Sequence, residues 1–142
     1  MKPIVSYKFF SLLLQFCVFS HLTLLLQGSI ENLVYKLYTQ DAGVQERAAW
    51  ALKNLAANAD NKVKIAAAGA IPPLVALLGP QCSAGVQEQA AGALRNIAWS
   101  SDDIKASIRS SGGVAALTQL MQSSPSDKVK SKAKDALDRI NK

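Results

Sequence analysis

The sequence contains very few residues of the kinds that build metal centres, catalytic triads or disulfide frameworks. Its 142 residues include one histidine and two cysteines, Cys17 and Cys82. Two distant cysteines form neither a disulfide framework nor a zinc site, and we expect both to be inert apolar fillers. No phosphate-binding glycine loop and no Ser–His or Cys–His arrangement is present. We therefore expect no enzymatic activity, no catalytic residue, no cofactor and no metal ion.

Charged residues are also scarce, at 18% of the chain against 49% hydrophobic residues. This balance excludes a disordered tail, because enough apolar surface is available to offset the chain entropy lost on folding. The net charge of +6 is moderate. It permits acidic partners but does not favour nucleic acid as the ligand.

Alanine is missing from one part of the chain only. None occurs before Ala42, and 22 occur from there onward. All four phenylalanines, in contrast, lie between Phe9 and Phe19. The sequence therefore predicts two parts: an apolar N-terminal segment (residues 1–27) and an alanine-rich domain (residues 28–142). Alanine- and leucine-rich sequence with few β-branched runs favours helix, so we expect an all-α fold.

The alanine-rich part repeats itself. Gly43–Ala56 recurs 42 residues later as Gly85–Ala98, with ten of fourteen positions identical. A degenerate third copy lies at Val129–Ile140. A second unit, Gly69–Leu78, recurs at Gly112–Met121 and, more loosely, at residues 28–37. With a further short unit before each later glycine, one period of about 42 residues holds three helices, here called the first, second and third helix of a repeat.

Local chemistry supports these helix boundaries. Gly69 and Gly112 are placed to end a first helix in the left-handed conformation. Pro72 and Pro73 suit the first turn of a second helix, where no backbone N–H is needed. Asp127 is a candidate N-cap for the last helix. We expect a partial repeat at residues 28–57 and full repeats at residues 60–100 and 102–142.

The period and motifs resemble the armadillo (ARM) repeat family. The resemblance rests on the run at Ala68–Leu78 and on the pattern shared by Val44–Ala56 and Val86–Ala98. It implies a right-handed α-solenoid of about two full repeats plus one partial repeat. Armadillo proteins usually contain many more repeats, and three is near the minimum for a stable stack.

The third helix of the first repeat has two distinct faces. At about 100° per residue, Glu46, Trp50 and Asn54 form a ladder on a face away from the apolar stripe. The equivalent ladder positions are Glu88, Gly92 and Asn96 in the next repeat, and Ser131, Asp135 and Arg139 in the last. The predicted core stripe consists of Val44, Ala48, Ala51, Leu52 and Leu55.

The resemblance implies that this ladder binds a peptide. In peptide-binding armadillo proteins, third helices line a concave groove, where a Trp and an Asn four residues later hold an extended peptide. Trp50 and Asn54 match that pair, whereas Gly92 replaces the second Trp and the third copy matches neither residue. The alternative is structural: Trp50 packs on a neighbouring third helix, and Asn54 bonds a carbonyl. The expected groove residues are Glu46, Trp50, Asn54, Glu88 and Asn96.

The last helix is strongly polar on its outer face. A terminal repeat needs a solvated outer surface, so we expect a cap there, the alternative being a basic patch for acidic partners or nucleic acid. The residues concerned are Lys128, Lys130, Lys132, Lys134, Asp138 and Arg139.

The N-terminal segment leaves three interpretations open. Residues 9–26 are apolar and follow Lys2 and Lys8, which is typical of a signal or membrane anchor, but five polar residues interrupt them. They could instead be a packed cap over the first repeat, or an artefact of the gene model that never belonged to the array.

These patterns predict a non-catalytic protein–protein interaction module that binds a partner protein or an extended peptide along its third helices. One alternative is a structural fragment of a longer array or a self-associating scaffold without a peptide ligand. Another is a membrane-tethered adaptor anchored by residues 9–26. The resemblance implies a eukaryotic, cytoplasmic or nuclear setting; a true signal or anchor would make it secretory or membrane-associated.

Overall fold

The computed structural model describes residues 29–142, which form α-helices joined by short connections, with no strand in that range. The predictions for residues 1–27 lie outside the described residues. The helices, in chain order, are α1 (Ser29–Leu37), α2 (Ala42–Leu55), α3 (Ala59–Ala67), α4 (Ile71–Ala76), α5 (Ala84–Ile97), α6 (Asp102–Ser110), α7 (Gly113–Ser123) and α8 (Asp127–Asn141).

The helices follow the predicted triplets. Helices α3, α4 and α5 form one unit, α6, α7 and α8 the next, and α1 and α2 supply the second and third helices of the unit before them. Each third helix packs against the third helix of the following unit, α2 on α5 and α5 on α8. The three third helices therefore form one continuous layer, the third-helix layer.

One connected apolar core runs through all the described helices. Ala48 and Leu52 of the predicted stripe are buried, while Val44, Ala51 and Leu55 are only half-buried. Ala49, outside that stripe, is fully buried. A helix in a stacked layer is covered by its own repeat and by the next one. Its buried arc is therefore wider than the single stripe of a one-sided amphipathic helix.

The predicted helix boundaries at glycine and proline are confirmed. Gly69 and Gly112 have φ angles of 80° and 81°, in the left-handed region, directly after the first helices. Pro72 and Pro73 lie in the first turn of α4. A side chain at either glycine would be strained, because L-residues rarely adopt a positive φ.

The predicted N-cap of the last helix was wrong by one residue. Ser126, not Asp127, is the N-cap of α8, and its hydroxyl accepts a hydrogen bond from the Val129 N–H at 3.4 Å. Serine and aspartate are comparable caps, so the sequence could not choose between neighbours. Asp127 instead occupies the first turn, where its negative charge favours the positive end of the helix dipole.

In α2 and in α5, a glutamine near the start of the helix forms a hydrogen bond to the connection that precedes it. The Gln45 amide donates to Thr39 O at 2.6 Å, and the Gln87 amide donates to Gly79 O at 2.8 Å. Both bonds satisfy loop carbonyls that have no helical partner. The Gln45 amide also donates to Leu37 O, the equivalent of Gly79 O, at 3.4 Å, so each glutamine holds the connection before its own helix.

Candidate functional site

The ladder of the first repeat lies on the open face of α2. Trp50 is 54% exposed, and its indole lines a shallow cavity of about 460 Å³ together with Gly43, Glu46, Arg47 and Gln89. Trp50 is therefore not packed inside its own triplet. A large indole held at the edge of a cavity can cover the apolar surface of a ligand at low entropic cost.

Asn54 lies one turn beyond Trp50 on the same helix and is exposed. Its side-chain amide makes no hydrogen bond within residues 29–142. An asparagine amide is both a donor and an acceptor, which is the combination that one peptide unit offers in return. The Asn54 amide therefore has the chemistry to bond the backbone of an extended chain that passes over Trp50.

Glu46, the first residue of this ladder, lies against the start of α5. A Cβ built on Gly85 would be 2.7 Å from Glu46 Oε1, so the absence of a side chain at Gly85 is what lets the carboxylate approach. Gly85 lies in the first turn of α5, where a negative charge is favoured by the helix dipole. Glu46 thus both lines the cavity and contacts the next repeat.

The ladder of the second repeat is closed at its middle position. Gly92 is buried, and a Cβ there would lie 2.8 Å from Lys53 Cδ. The Lys53 side chain reaches from α2 across the place where the first ladder has its tryptophan. Its Nζ donates to Gln89 Oε1 at 2.7 Å. The second repeat therefore presents a lysine stem where the first presents an indole.

Asn96 is engaged within the fold. Its Nδ2 donates to Lys53 O at 2.9 Å, and its Oδ1 accepts from Arg95 Nε and Nη2 at 3.2 and 3.1 Å. Lys53 O belongs to the last turn of α2, where carbonyls lack intrahelical partners. The carbonyl bond proposed as the alternative role for Asn54 is thus made by Asn96, one repeat later.

The ladder of the last repeat is charged. Asp135 lies 3.7 Å from Arg95 Nη1 in a half-exposed ion pair. The Arg139 guanidinium lies 3.3 Å from the ring centroid of Trp99, which follows the end of α5. These contacts occupy the positions where the first repeat offers Trp50 and Asn54, so the third ladder has no counterpart of that pair.

Lys53 is in an unusual electrostatic environment for a lysine on the layer's surface. Partial burial and, next in size, the ammonium of Lys132 lower its pKa, with a smaller contribution of the same sign from Arg95. The carboxylate of Glu88 acts in the opposite direction. Positive charge therefore outweighs negative charge around the Lys53 amine.

The predicted groove residues therefore differ in whether they are open to a ligand or already bonded within the fold. It brings Glu46, Trp50 and Asn54 onto one open face, whereas Asn96 is committed to Lys53 O. Glu88 lies among the charges near Lys53. Sequence analysis missed Lys53 and Gln89. The signal was available: Gly92 in the place of a tryptophan leaves a space that a long neighbouring side chain can fill.

Two other features are absent from the part of the chain that the structure describes. No group of three or more histidine, cysteine, aspartate or glutamate side chains there could hold a metal ion. Within the same residues, no helix combines the length and the hydropathy needed to cross a membrane.

The fold and the layer of third helices define the class of this protein, an α-solenoid of three-helix repeats. Residues 58–99 match the family model of the armadillo/beta-catenin-like repeat. Residues 58–99 are therefore an armadillo repeat, and the described helices on either side of it follow the same three-helix plan. No curated protein matched the sequence.

Several solved structures of designed proteins are similar to this chain. One designed armadillo repeat protein is 35% identical, with a TM-score of 0.73 over 80% of this chain and 48% of its own length. Another, solved in complex with the peptide (KR)4, is 34% identical, with a TM-score of 0.73 over 80% of this chain and 47% of its own length. A structure of computationally designed armadillo repeat proteins for modular peptide recognition is 32% identical, with a TM-score of 0.73 over 79% of this chain and 47% of its own length. The chain spans less than half the length of each.

Proposed function

We propose that this chain is a non-catalytic interaction module that binds an extended peptide, or an extended segment of a partner protein, across its third-helix layer. The observation that carries this proposal is the open Trp50–Asn54 pair on α2. The indole provides an apolar wall beside a cavity. One turn further, the amide is free to bond a peptide unit as donor and acceptor together.

The structural relatives support this function. One of the designed armadillo repeat proteins was solved with a bound peptide. Another set was designed for modular peptide recognition. This chain has the same fold at 32–35% identity. Because Asn96 is committed within the fold, the proposed site is centred on the first repeat and is short.

The test uses random ten-residue peptides displayed on phage and selected on the immobilised full chain. Selected peptides are then titrated against a Trp99→Phe variant, so that the fluorescence reports Trp50 alone. We expect a blue shift of the Trp50 emission on binding, because a bound peptide removes water from the indole. We expect Asn54→Ala to abolish the shift and Asn141→Ala, an exposed asparagine at the end of α8, to leave it unchanged.

Two outcomes would overturn the proposal. One is the enrichment of no peptide over the background of the support. The other is binding of the selected phage that persists unchanged in both Trp50→Ala and Asn54→Ala. Sedimentation of the same samples addresses the structural alternative, since a self-associating fragment would dimerise with concentration and give no response to peptide.

A further inference from the structure

The Lys53 side chain, which covers Gly92, is the part of the third-helix layer that the proposed peptide site leaves unexplained. It adjoins the Trp50 cavity, because Gln89 lines that cavity and also accepts the hydrogen bond of Lys53. A peptide that leaves Trp50 in the direction of the next repeats therefore passes over the Lys53 amine. That amine uses one of its three N–H groups on Gln89, and two remain for a ligand.

Three successive third helices contribute positive charge around the Lys53 amine. Lys53 comes from α2, Arg95 from α5 and Lys132 from α8, and the latter two both act electrostatically on Lys53. Asp135 is paired with Arg95 at 3.7 Å. With Arg95 offset by Asp135, Lys132 and Glu88 remain, and the effect of Lys132 on Lys53 is the larger of the two. Counted with the Lys53 ammonium itself, the charge at this place is positive in the absence of a ligand.

We infer that the bound peptide is acidic where it passes the Lys53 amine, with an aspartate or glutamate side chain held by Lys53 beside the Trp50 cavity. The inference rests on the proposed function, since it assigns the chemistry of the peptide that the Trp50–Asn54 pair would hold. A carboxylate there relieves the repulsion among the cations, and hydrogen bonds from charged donors to carboxylates are stronger than neutral ones.

The geometry also disfavours the opposite charge. A lysine or arginine of the ligand would add another cation beside Lys53 and Lys132, with Glu88 as the nearby counter-charge. Gly92 provides no aromatic face on which a cationic stem could lie. This chain is therefore expected to discriminate against the basic peptide (KR)4 that was solved on one of its designed relatives.

The experiment compares three eight-residue probes on the full chain in its Trp99→Phe form: (DE)4, (KR)4 and the neutral (SG)4. Affinities are measured by Trp50 fluorescence at low and at physiological salt, and the residue composition of the phage-selected peptides is tallied. Two matched variants each remove one positive charge. Lys53→Met keeps the apolar stem over Gly92, and Lys134→Met removes an exposed lysine of α8 that is not among the charges acting on Lys53.

We expect (DE)4 to bind more tightly than (SG)4, and (SG)4 more tightly than (KR)4. Lys53→Met should weaken (DE)4 by roughly twofold to fivefold, the worth of one partly exposed ion pair, whereas Lys134→Met should have little effect. The selected peptides should be enriched in aspartate or glutamate at one spacing from an apolar residue. That enrichment should be lost on Lys53→Met.

Three results would overturn the inference. These are a preference for (KR)4, an equal loss in Lys53→Met and Lys134→Met, or selected peptides without acidic enrichment. If those peptides still depend on Trp50 and Asn54, the proposed function stands and only the acidic assignment falls. If no probe and no selected peptide binds through this pair, both fall together.

Discussion

Helices α2 and α5 have nearly the same sequence and occupy equivalent places, yet they use their shared asparagine differently. Asn96 of α5 donates to the Lys53 carbonyl in the last turn of α2. Asn54 would need an earlier third helix to make the equivalent bond, and residues 29–142 contain none. One side chain type therefore secures the stack in one repeat and is open to a ligand in the other.

The residue four positions before each asparagine also differs between the two helices, and again only the one in α2 is exposed. In α2 it is Trp50, which is exposed beside a cavity; in α5 it is Gly92, which is buried beneath the Lys53 side chain. The contrast teaches that position in the stack, and not the motif alone, decides whether a ladder residue can contact a partner. The following predictions test this contrast.

The largest effect concerns Leu52 and Leu94, which are equivalent and fully buried. Truncation of either to alanine should lower the free energy of unfolding by about 2–5 kcal/mol. Leu94→Ala should fall near the upper end, because α5 is packed between α2 and α8 and can relax less. Denaturant unfolding measures both, with Val63→Ala on exposed surface as the control. Losses below about 1 kcal/mol would contradict the assigned core.

The second effect separates the two asparagines. Asn96→Ala should cost about 1–3 kcal/mol of unfolding free energy, because Lys53 O loses its partner in a half-buried place. Asn54→Ala should change stability by less than about 0.5 kcal/mol while removing peptide binding. Denaturant midpoints of the two variants make the comparison. Equal losses would mean that position in the stack does not distinguish the two residues.

The smallest effect is a change in the ionisation of Lys53. Burial and Lys132 lower its pKa, and Glu88 acts against them. Lys132→Ala should therefore move the pKa back toward the usual value for lysine, and Glu88→Gln should lower it further. An NMR titration of the lysine side chains against pH provides the measurement. If the pKa of Lys53 is unchanged by both substitutions, the charges of Lys53, Lys132 and Glu88 do not interact.

The sign of the accompanying change in stability follows from proton binding. A lowered pKa means that the folded chain holds the Lys53 proton less tightly than the unfolded chain does. The free energy of unfolding should therefore rise with pH across the interval between the lowered pKa and the usual one. The rise should shrink in Lys132→Ala, and its persistence there would argue for burial as the sole cause.

The repeat period and the helix boundaries could be predicted because each depends on local chemistry. Gly69 and Pro72 act on the backbone within one turn, and the duplicated run at Gly43–Ala56 is visible without any structure. The exposure of Trp50 followed from helical angle alone. What the residues around Asn96 and Gly92 do depends on the neighbouring repeat, and a pattern within one helix carries no information about that neighbour.

The hydrogen bond from Asn96 to Lys53 O gives the array a direction of growth. A repeat carries in its own third helix the group that closes the end of the helix before it. If a duplicate of residues 60–101 were inserted after Ser101, the copy of Asn96 would lie beside the carbonyl of Arg95, which is the equivalent of Lys53 O. The original Asn96 would keep its bond to Lys53 O. Copying the unit therefore copies this bond, although the duplicate would pack α5 against a second α5, a pairing that residues 29–142 do not contain.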